Sequence, residues 1–246
     1  MIGFDPLYFI MILPALLLAL WAQSKVKSAY AKYSRIGNSS NMTGAEAAAE
    51  MLEGVGIPVV SSAAAAKRSN RAVAIEETQG FLSDHYDPRS RVLRLSPNVY
   101  RGRSIASVGI ACHEAGHALQ HAQGYAALEL RNLMVPVAQF GSPLAMPLIF
   151  LGFLLKTFAL VKIGLILFTA IVVFQIVTLP VEFNASARAR QLLTDTGLLY
   201  SEEERRGVNS MLNAAAFTYV AALLVAILNV LRFALMVVGL GGRRRS

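Results

Sequence analysis

The stretch IGLILFTAIVVFQIVTLPV, residues 163–181, contains nineteen residues and no charged side chain. An α-helix of this length is about 28 Å long at 1.5 Å per residue, close to the roughly 30 Å hydrocarbon core of a bilayer. The apolar character continues backward to Leu133 and is interrupted near Lys156 and Lys162. The pattern predicts two membrane-spanning helices joined by a short turn, at about 133–155 and 163–181.

Two further segments are long and apolar enough to span a membrane, at about 5–22 and 217–238. The chain is 55% hydrophobic and 15% charged, whereas a soluble domain carries about 25% charged residues. We therefore predict an α+β integral membrane protein, mainly α-helical, with about four transmembrane helices and a small polar α/β region. The predicted boundaries are an N-terminal anchor at 1–22, the hairpin at 133–181, and a C-terminal helix with a basic tail at 217–246.

The basic residues predict the orientation of the chain. Of the 23 lysines and arginines, 13 lie in residues 23–132 and four in 182–216. Cytoplasmic loops carry an excess of such residues, so both segments are expected in the cytoplasm of a multi-pass plasma-membrane protein. In a four-span chain with this orientation the basic tail GGRRRS would lie outside the cell, which conflicts with the excess of basic residues expected in the cytoplasm. The side of the membrane on which the tail lies is therefore left open. The net charge of +8 is expected to face lipid headgroups rather than nucleic acid, because no aromatic pattern interleaves the basic residues.

The polar region at 23–132 predicts short helices and strands. Thr43 and Glu46 have the spacing of a capping box at the start of a short helix. We expect a short antiparallel sheet that includes a hairpin, followed by a helix at 104–123 that Gly124 ends. The strand candidates are IPVV at 57–60, RAVAI at 71–75, FLSDHY at 81–86 and RVLRLS at 91–96.

The helix at 104–123 contains His113-Glu114-Ala115-Gly116-His117, an HExxH pattern. Residues i and i+4 of a helix lie on one face, one turn apart, so both imidazoles can bind one ion. The glutamate points to the neighbouring side, where it can accept a proton from water that the ion activates. The pattern predicts one catalytic Zn²⁺ bound by His113 and His117, with Glu114 as general base.

A catalytic zinc site needs a third protein ligand. His121 lies about 12 Å along the helix from His113, too far for one ion to bind both. Glu182 is the better candidate, in a helical segment at 182–216, although a glutamate at an interface can also simply be solvated. Pro180 predicts a bend or an end of the helix just before it. His121 is expected to support the site, to face the substrate or to be structural.

The chain resembles the YugP-like family of membrane-bound neutral zinc metallopeptidases along nearly its whole length. The most specific segments are ACHEAGHALQH (111–121) and LPVEFNASARA (179–189), with support from LSDHYDPR (82–89). The resemblance implies zinc-dependent peptide hydrolysis of the gluzincin type, with His113, His117 and Glu182 as ligands and Glu114 as base.

Departures from the family pattern limit what the resemblance implies. The family more often has an aspartate at the position of Asn184, so a role that requires a charge there is in doubt. A bulkier residue is more common at the position of Ala115, which should be harmless. The HtpX-like membrane proteases are a looser analogy, because Ser186 stands where they have an aspartate four residues after the ligand glutamate.

A peptidase also needs a hydrogen-bond donor for the oxyanion of its transition state. The candidates are His85, Tyr86, His121 and Arg188, and Asn184 is a candidate to support a ligand from behind. The hairpin either binds an extended peptide along its edge or is plain sheet with a turn at Asp87-Pro88.

The predicted function is a membrane-embedded zinc endopeptidase with a zincin-like catalytic region. Its expected substrates are membrane or unfolded polypeptides, cleaved at the membrane surface, in keeping with protein quality control. A proteolytically inactive zinc-binding membrane scaffold is the main alternative, although a scaffold has no need of Glu114 as a base. Asn229 and Arg232 in the last span prompt a third interpretation, a transporter.

Overall fold

The structure, a computed structural model, describes residues 6–69, 71–80 and 83–242. These residues are mostly helical, with one small sheet, as predicted. The elements in chain order are α1 (Pro6–Tyr33), α2 (Gly44–Gly54), β1 (Val59–Val60), α3 (Ala63–Arg68), β2 (Val73–Glu77), β3 (His85–Asp87), β4 (Val92–Leu95), α4 (Pro97–Tyr100), α5 (Ile105–Ala122), α6 (Ala126–Leu154), α7 (Phe158–Asp195) and α8 (Glu202–Gly242).

The chain divides into two compact units. Within the described residues, the helical unit comprises 6–23, 130–179 and 217–242, and the mixed unit comprises 24–129 and 180–216. The sheet and the HExxH helix belong to the mixed unit.

The helical unit carries candidate membrane spans. Three helices with described side chains are long and apolar enough to cross a bilayer: α6, α7 and the Glu202–Leu235 part of α8. Large apolar side chains point outward from them, including Leu133 at 76% exposure and Phe140 at 68%. In water such an apolar surface would promote aggregation, whereas the hydrocarbon core of a bilayer solvates apolar side chains favourably.

The predicted four-span count stays a prediction, because the first span, at about 5–22, lies partly outside the described residues. The last four residues of the basic tail, 243–246, lie outside them as well. The predicted hairpin corresponds to α6 and α7, which are joined by a turn at residues 155–157. Within the helical unit these two helices approach closely at Gly164, where a Cβ atom would lie 2.8 Å from the Ala145 carbonyl oxygen.

The prediction that Pro180 could end its helix is wrong, because α7 continues without interruption to Asp195. A proline removes one helical hydrogen bond and costs roughly 3 kcal/mol. Beyond Pro180, a stripe of residues spaced four apart is fully buried in the mixed unit, and this packing maintains the helix. The stripe consists of Val181, Ala185, Ala189 and Leu193.

The sheet is mixed, so the prediction of an antiparallel sheet is wrong in part. Its strand order is β1-β2-β4-β3. The β1–β2 and β2–β4 pairs are parallel, and β3 and β4 form the predicted antiparallel hairpin, with Tyr86 opposite Leu93. Helix α3 was not predicted. It connects β1 to β2 and returns the chain to the end of the sheet at which β1 began. Such a crossover is what parallel neighbours require.

Helix α5 lies at the centre of the mixed unit. It begins after Ser104, whose side chain accepts a hydrogen bond from the Ser107 amide, and it ends at Ala122, which confirms the predicted helix at 104–123. Helix α2 packs along it and has the predicted capping box between Thr43 and Glu46. The two histidines and the glutamate of the HExxH pattern therefore sit on a capped, largely buried helix.

Candidate metal centre

His113 and His117 project from the same face of α5, as their spacing requires. Their ring centroids are 4.9 Å apart and the rings are nearly perpendicular, at 81°. His117 is buried and His113 is partly buried. Because α5 is packed into the core of the mixed unit, the helix fixes the positions from which both imidazoles project.

Glu182 on α7 completes a group of three metal-ligand side chains. Its Oε2 atom lies 3.3 Å from His113 Nε2 and 3.6 Å from His117 Nε2. The candidate ligand atoms all lie within 4.8 Å of one another. Glu182 is 3% exposed. The structure thus brings together the three residues that the sequence indicated as ligands, and all three belong to the mixed unit.

Gly116, the residue before His117, makes this arrangement possible. A Cβ atom at position 116 would lie 2.6 Å from the Ala185 carbonyl oxygen and 3.3 Å from the Ala185 Cα atom. The backbone of α7 therefore passes directly over Gly116. Ala185 is three residues from Glu182, so this close approach also brings the carboxylate to the histidines.

The three side chains fit a divalent cation. His117 Nδ1 faces Gln120 Oε1 at 2.9 Å, and His113 Nδ1 faces Ser186 Oγ at 3.2 Å. Both Nδ1 atoms are engaged away from the site, so both Nε2 atoms are directed toward Glu182. Two imidazole nitrogens and one carboxylate oxygen form the ligand set of the His₂Glu type that catalytic zinc sites use.

Glu114 lies beside the ligand group but is not part of it. Its Oε2 atom accepts a hydrogen bond from the Tyr86 backbone N–H at 3.1 Å. The pKa of the Glu114 carboxyl is raised to about 7, chiefly by burial. The nearby charges of Glu182 and Asp84 act in the same direction, and His113 and the Tyr86 N–H oppose the shift. A carboxyl with a pKa near neutrality can both accept and release a proton at physiological pH.

His121 and Tyr86 contact each other away from the ligand group. Tyr86 Oη lies 2.8 Å from His121 Nδ1. Burial raises the pKa of the Tyr86 hydroxyl, whereas burial and the charge of Arg91 lower the pKa of His121. His121 is seven residues beyond Glu114, about 10 Å along the helix. The contact places the Tyr86 hydroxyl near that end of α5 rather than beside the base.

The other predicted supporting residues occupy different places. His85 is exposed, and its Nδ1 atom lies 2.8 Å from the Ser83 carbonyl oxygen. Arg188 donates to Asn184 Oδ1 at 2.6 Å and to Gln123 Oε1, and its guanidinium lies 5.9 Å from the Tyr125 ring centroid. Arg188 therefore links α7 to the end of α5.

Asn184 is part of a hydrogen-bond network behind His117. Its Oδ1 atom accepts from Arg188 Nε and from Gln120 Nε2, the latter at 2.9 Å. A neutral carbonyl oxygen is sufficient for both contacts, so the asparagine can serve here without a negative charge.

The sequence interpretation missed Gln120, although a signal was present. Gln120 follows His117 by three residues, which places it on the same side of the helix one turn later. It is a lone amide among small and apolar neighbours, and such residues are buried only when their hydrogen bonds are satisfied. Ser186, which stands where the HtpX-like proteases have an aspartate, was not predicted to support the site, yet its hydroxyl contacts His113.

The outer edge of β3 is largely occupied. The Tyr86 N–H points away from β4 and is donated to Glu114, and Pro88, next on that edge, has no N–H. The edge therefore offers an incoming peptide few donors, which favours the plain-sheet interpretation of the hairpin over strand addition.

The fold is mostly helical with three candidate membrane spans, and the HExxH helix α5 and helix α7 together form its His-His-Glu group. These features define a class: proteins with candidate membrane spans and a metallopeptidase-like site. Residues 8–238 match the family described as "Putative neutral zinc metallopeptidase", and the chain belongs to this family. It is 48% identical over 231 residues to the "Putative membrane protease YugP" of Bacillus subtilis (strain 168), covering 94% of this chain and 96% of the relative. No solved structure matches the chain.

Proposed function

We propose that this protein is a zinc-dependent endopeptidase of the membrane. The observation that carries the proposal is the position of Glu114. Its carboxylate lies next to the His113–His117–Glu182 group, outside the group itself, and the Tyr86 backbone N–H orients it. A site that only bound zinc would have no use for a second, partly buried carboxyl group beside the three ligands.

Zinc bound at this position would polarise a carbonyl group and lower the pKa of water. Glu114 accepts the proton of the attacking water on its carboxylate and later delivers it to the nitrogen of the leaving amine. The Tyr86 N–H holds the carboxylate through Oε2, and burial raises the pKa of Glu114, which makes its carboxylate a better proton acceptor. His113, His117 and Glu182 hold the ion, and Gly116 gives α7 the close approach that this requires.

The proposed substrates are membrane or unfolded polypeptides. Three candidate spans support a membrane location, and the Bacillus subtilis relative carries the name of a membrane protease. The excess of lysine and arginine in 23–132 favours a catalytic region in the cytoplasm, with the chain in the plasma membrane. A role in protein quality control is consistent with such substrates. A quality-control protease has to cleave unfolded chains of many sequences, because such chains share no sequence motif.

Cleavage of casein by the purified full-length protein in detergent tests the proposal. Wild type is compared with Glu114→Gln and with a matched control, Glu50→Gln, at an exposed position of α2. Zinc content is measured in all three. We expect every protein to bind zinc and only Glu114→Gln to lose cleavage.

Equal cleavage by wild type and Glu114→Gln would contradict the role of Glu114. Zinc binding without cleavage by any of the three proteins would favour the alternative of an inactive zinc-binding scaffold.

A further inference from the structure

Gln120 is completely buried on α5, one turn beyond His117, and its amide group is fully engaged. Its Oε1 atom lies 2.9 Å from His117 Nδ1. Its Nε2 atom donates to the Val181 carbonyl oxygen at 2.8 Å and to Asn184 Oδ1 at 2.9 Å. A buried amide in three contacts must match a donor with an acceptor in each, so its neighbours decide which way it faces.

Two of these contacts, those with the Val181 carbonyl and with Asn184, have only one possible direction. The Val181 carbonyl can only accept, so the amide atom facing it is the donor Nε2. The Arg188 guanidinium can only donate, so the Asn184 atom facing it is the acceptor Oδ1, and that atom in turn requires a donor from Gln120. Both constraints lead to the same orientation of Gln120, with its oxygen toward His117.

We propose that Gln120 is a positioning residue that holds His117 in the Nδ1–H tautomer and so directs the Nε2 lone pair at the metal position. The proposal rests on the zinc site of the proposed function. Because Gln120 Oε1 can only accept, His117 Nδ1 carries the hydrogen of the neutral ring. His117 Nε2 and Glu182 Oε2, 3.6 Å apart, then face each other as two electron-pair donors, which a cation between them would satisfy.

The other ligand histidine is held less specifically. His113 Nδ1 contacts the Ser186 hydroxyl at 3.2 Å, and a hydroxyl can donate or accept. This contact orients the His113 ring without selecting a tautomer. Of the two ligand histidines, His117 is therefore the one whose tautomer a neighbouring side chain selects.

Histidine NMR of the metal-free, full-length protein in detergent micelles tests the tautomer directly. The chain has four histidines, so single His→Gln variants can assign every ring. Two-bond correlations between ring protons and nitrogens show which nitrogen carries the hydrogen. We expect His117 in the Nδ1–H form in wild type, and loss of that preference in Gln120→Met. An Nε2–H form of His117 in wild type would overturn the proposal without any variant.

Zinc affinity, measured by competition with a chelator, tests the consequence for the ligand. Loss of a hydrogen bond that orients a ligand histidine typically weakens metal binding by roughly 10- to 100-fold. We expect this loss in Gln120→Met and a loss in the same direction in Asn184→Leu. Asn184→Asp should bind zinc nearly as wild type does, since a carboxylate oxygen can accept from both Gln120 and Arg188.

The matched control for Gln120→Met is Gln191→Met, the same substitution at an exposed position of α7. It should leave both the His117 tautomer and the zinc affinity unchanged. Wild-type affinity in Gln120→Met, or an equal loss in Asn184→Asp and Asn184→Leu, would overturn the proposal. The tautomer is read without metal or peptide, so a failure of the proposed peptidase activity remains distinguishable from a failure of this inference.

Discussion

The Ala185 carbonyl oxygen on α7 occupies the space that a side chain at Gly116 on α5 would need. A Cβ atom at Gly116 would lie 2.6 Å from this oxygen, well inside normal contact. The contacting atom belongs to the backbone, so it cannot move away by a rotamer change as a side-chain atom could. Gly116 lies next to His117, and Ala185 lies one turn beyond Glu182, so this single contact sets the separation between the ligands of the two helices.

Gly116→Ala should therefore destabilise the protein and weaken zinc binding. An alanine within a helix is favoured over glycine by about 1 kcal/mol, but overpacking against backbone costs about 1–3 kcal/mol and displaces α7. We expect a lower thermal unfolding temperature and a weaker zinc affinity. Gly109→Ala on the same helix is the control, because the nearest atoms to its Cβ belong to the Val208 side chain, at 3.3 Å and beyond, and not to backbone. Equal behaviour of the two variants would show that the close approach at Gly116 is not required.

Zinc should stabilise the folded protein through Glu182. A ligand that binds only the folded state at about 100 times its Kd adds about 2.7 kcal/mol. We expect a chelator to lower the thermal unfolding temperature of wild type and to have little effect on Glu182→Gln, which keeps the shape of the side chain but lacks the carboxylate. Glu53→Gln, at an exposed position of α2, should respond as wild type does. A full chelator response in Glu182→Gln would remove Glu182 from the ligand set.

Peptidase activity should decline on the acid side at a pH set by Glu114. The base acts only when ionised, so activity is lost as the pH falls through its pKa. Burial raises this pKa from 4.5 to about 7 in the protein without metal, and the positive charge of a bound ion would lower it. We expect the acid midpoint of kcat/KM between 4.5 and about 7. Constant kcat/KM below pH 4.5 would contradict Glu114 as the base.

Asp87 in the β3–β4 hairpin should make folding sensitive to strong acid. Burial alone would raise the pKa of Asp87, but hydrogen bonds from Ser90, Arg94 and the Arg89 amide together lower it to about 2, from 3.8. A lowered carboxyl pKa adds stability that is fully present above about pH 4 and is lost as the pH falls toward 2. At 1.36 kcal/mol per pKa unit the upper bound of this contribution is about 2 kcal/mol, and solvent screening of this partly exposed carboxylate reduces it.

The measurement is the thermal unfolding temperature between pH 2 and 5. Asp87→Asn should be less stable than wild type at pH 5, and the two should converge near pH 2. Asp195→Asn, at an exposed position near the end of α7, is the control and should show the wild-type dependence. Parallel curves for wild type and Asp87→Asn would contradict the prediction.

Much of the fold and the HExxH part of the site could be predicted from the sequence because the signals are local, whereas Glu182 could be named as a candidate ligand but not positioned. The spacing of His113 and His117 places two imidazoles on one helix face whatever surrounds the helix. Thr43 and Glu46 cap α2 through contacts three residues apart, as their spacing predicted. The apolar stretches within α6, α7 and α8 indicate spans because bilayer thickness requires that length.

The rest was decided by tertiary packing. Glu182 is 69 residues from His113, and only the passage of α7 over Gly116 brings its carboxylate to the imidazoles. The unrecognised crossover helix α3 makes the β1–β2 pair parallel. The burial of α7 beyond Pro180 maintains that helix past a residue that normally ends one. The orientation of Gln120 depends on the Val181 carbonyl and on Asn184, which lie more than 60 residues away along the chain. Local spacing selects which side chains share a helix face, whereas close packing between distant segments selects which faces meet.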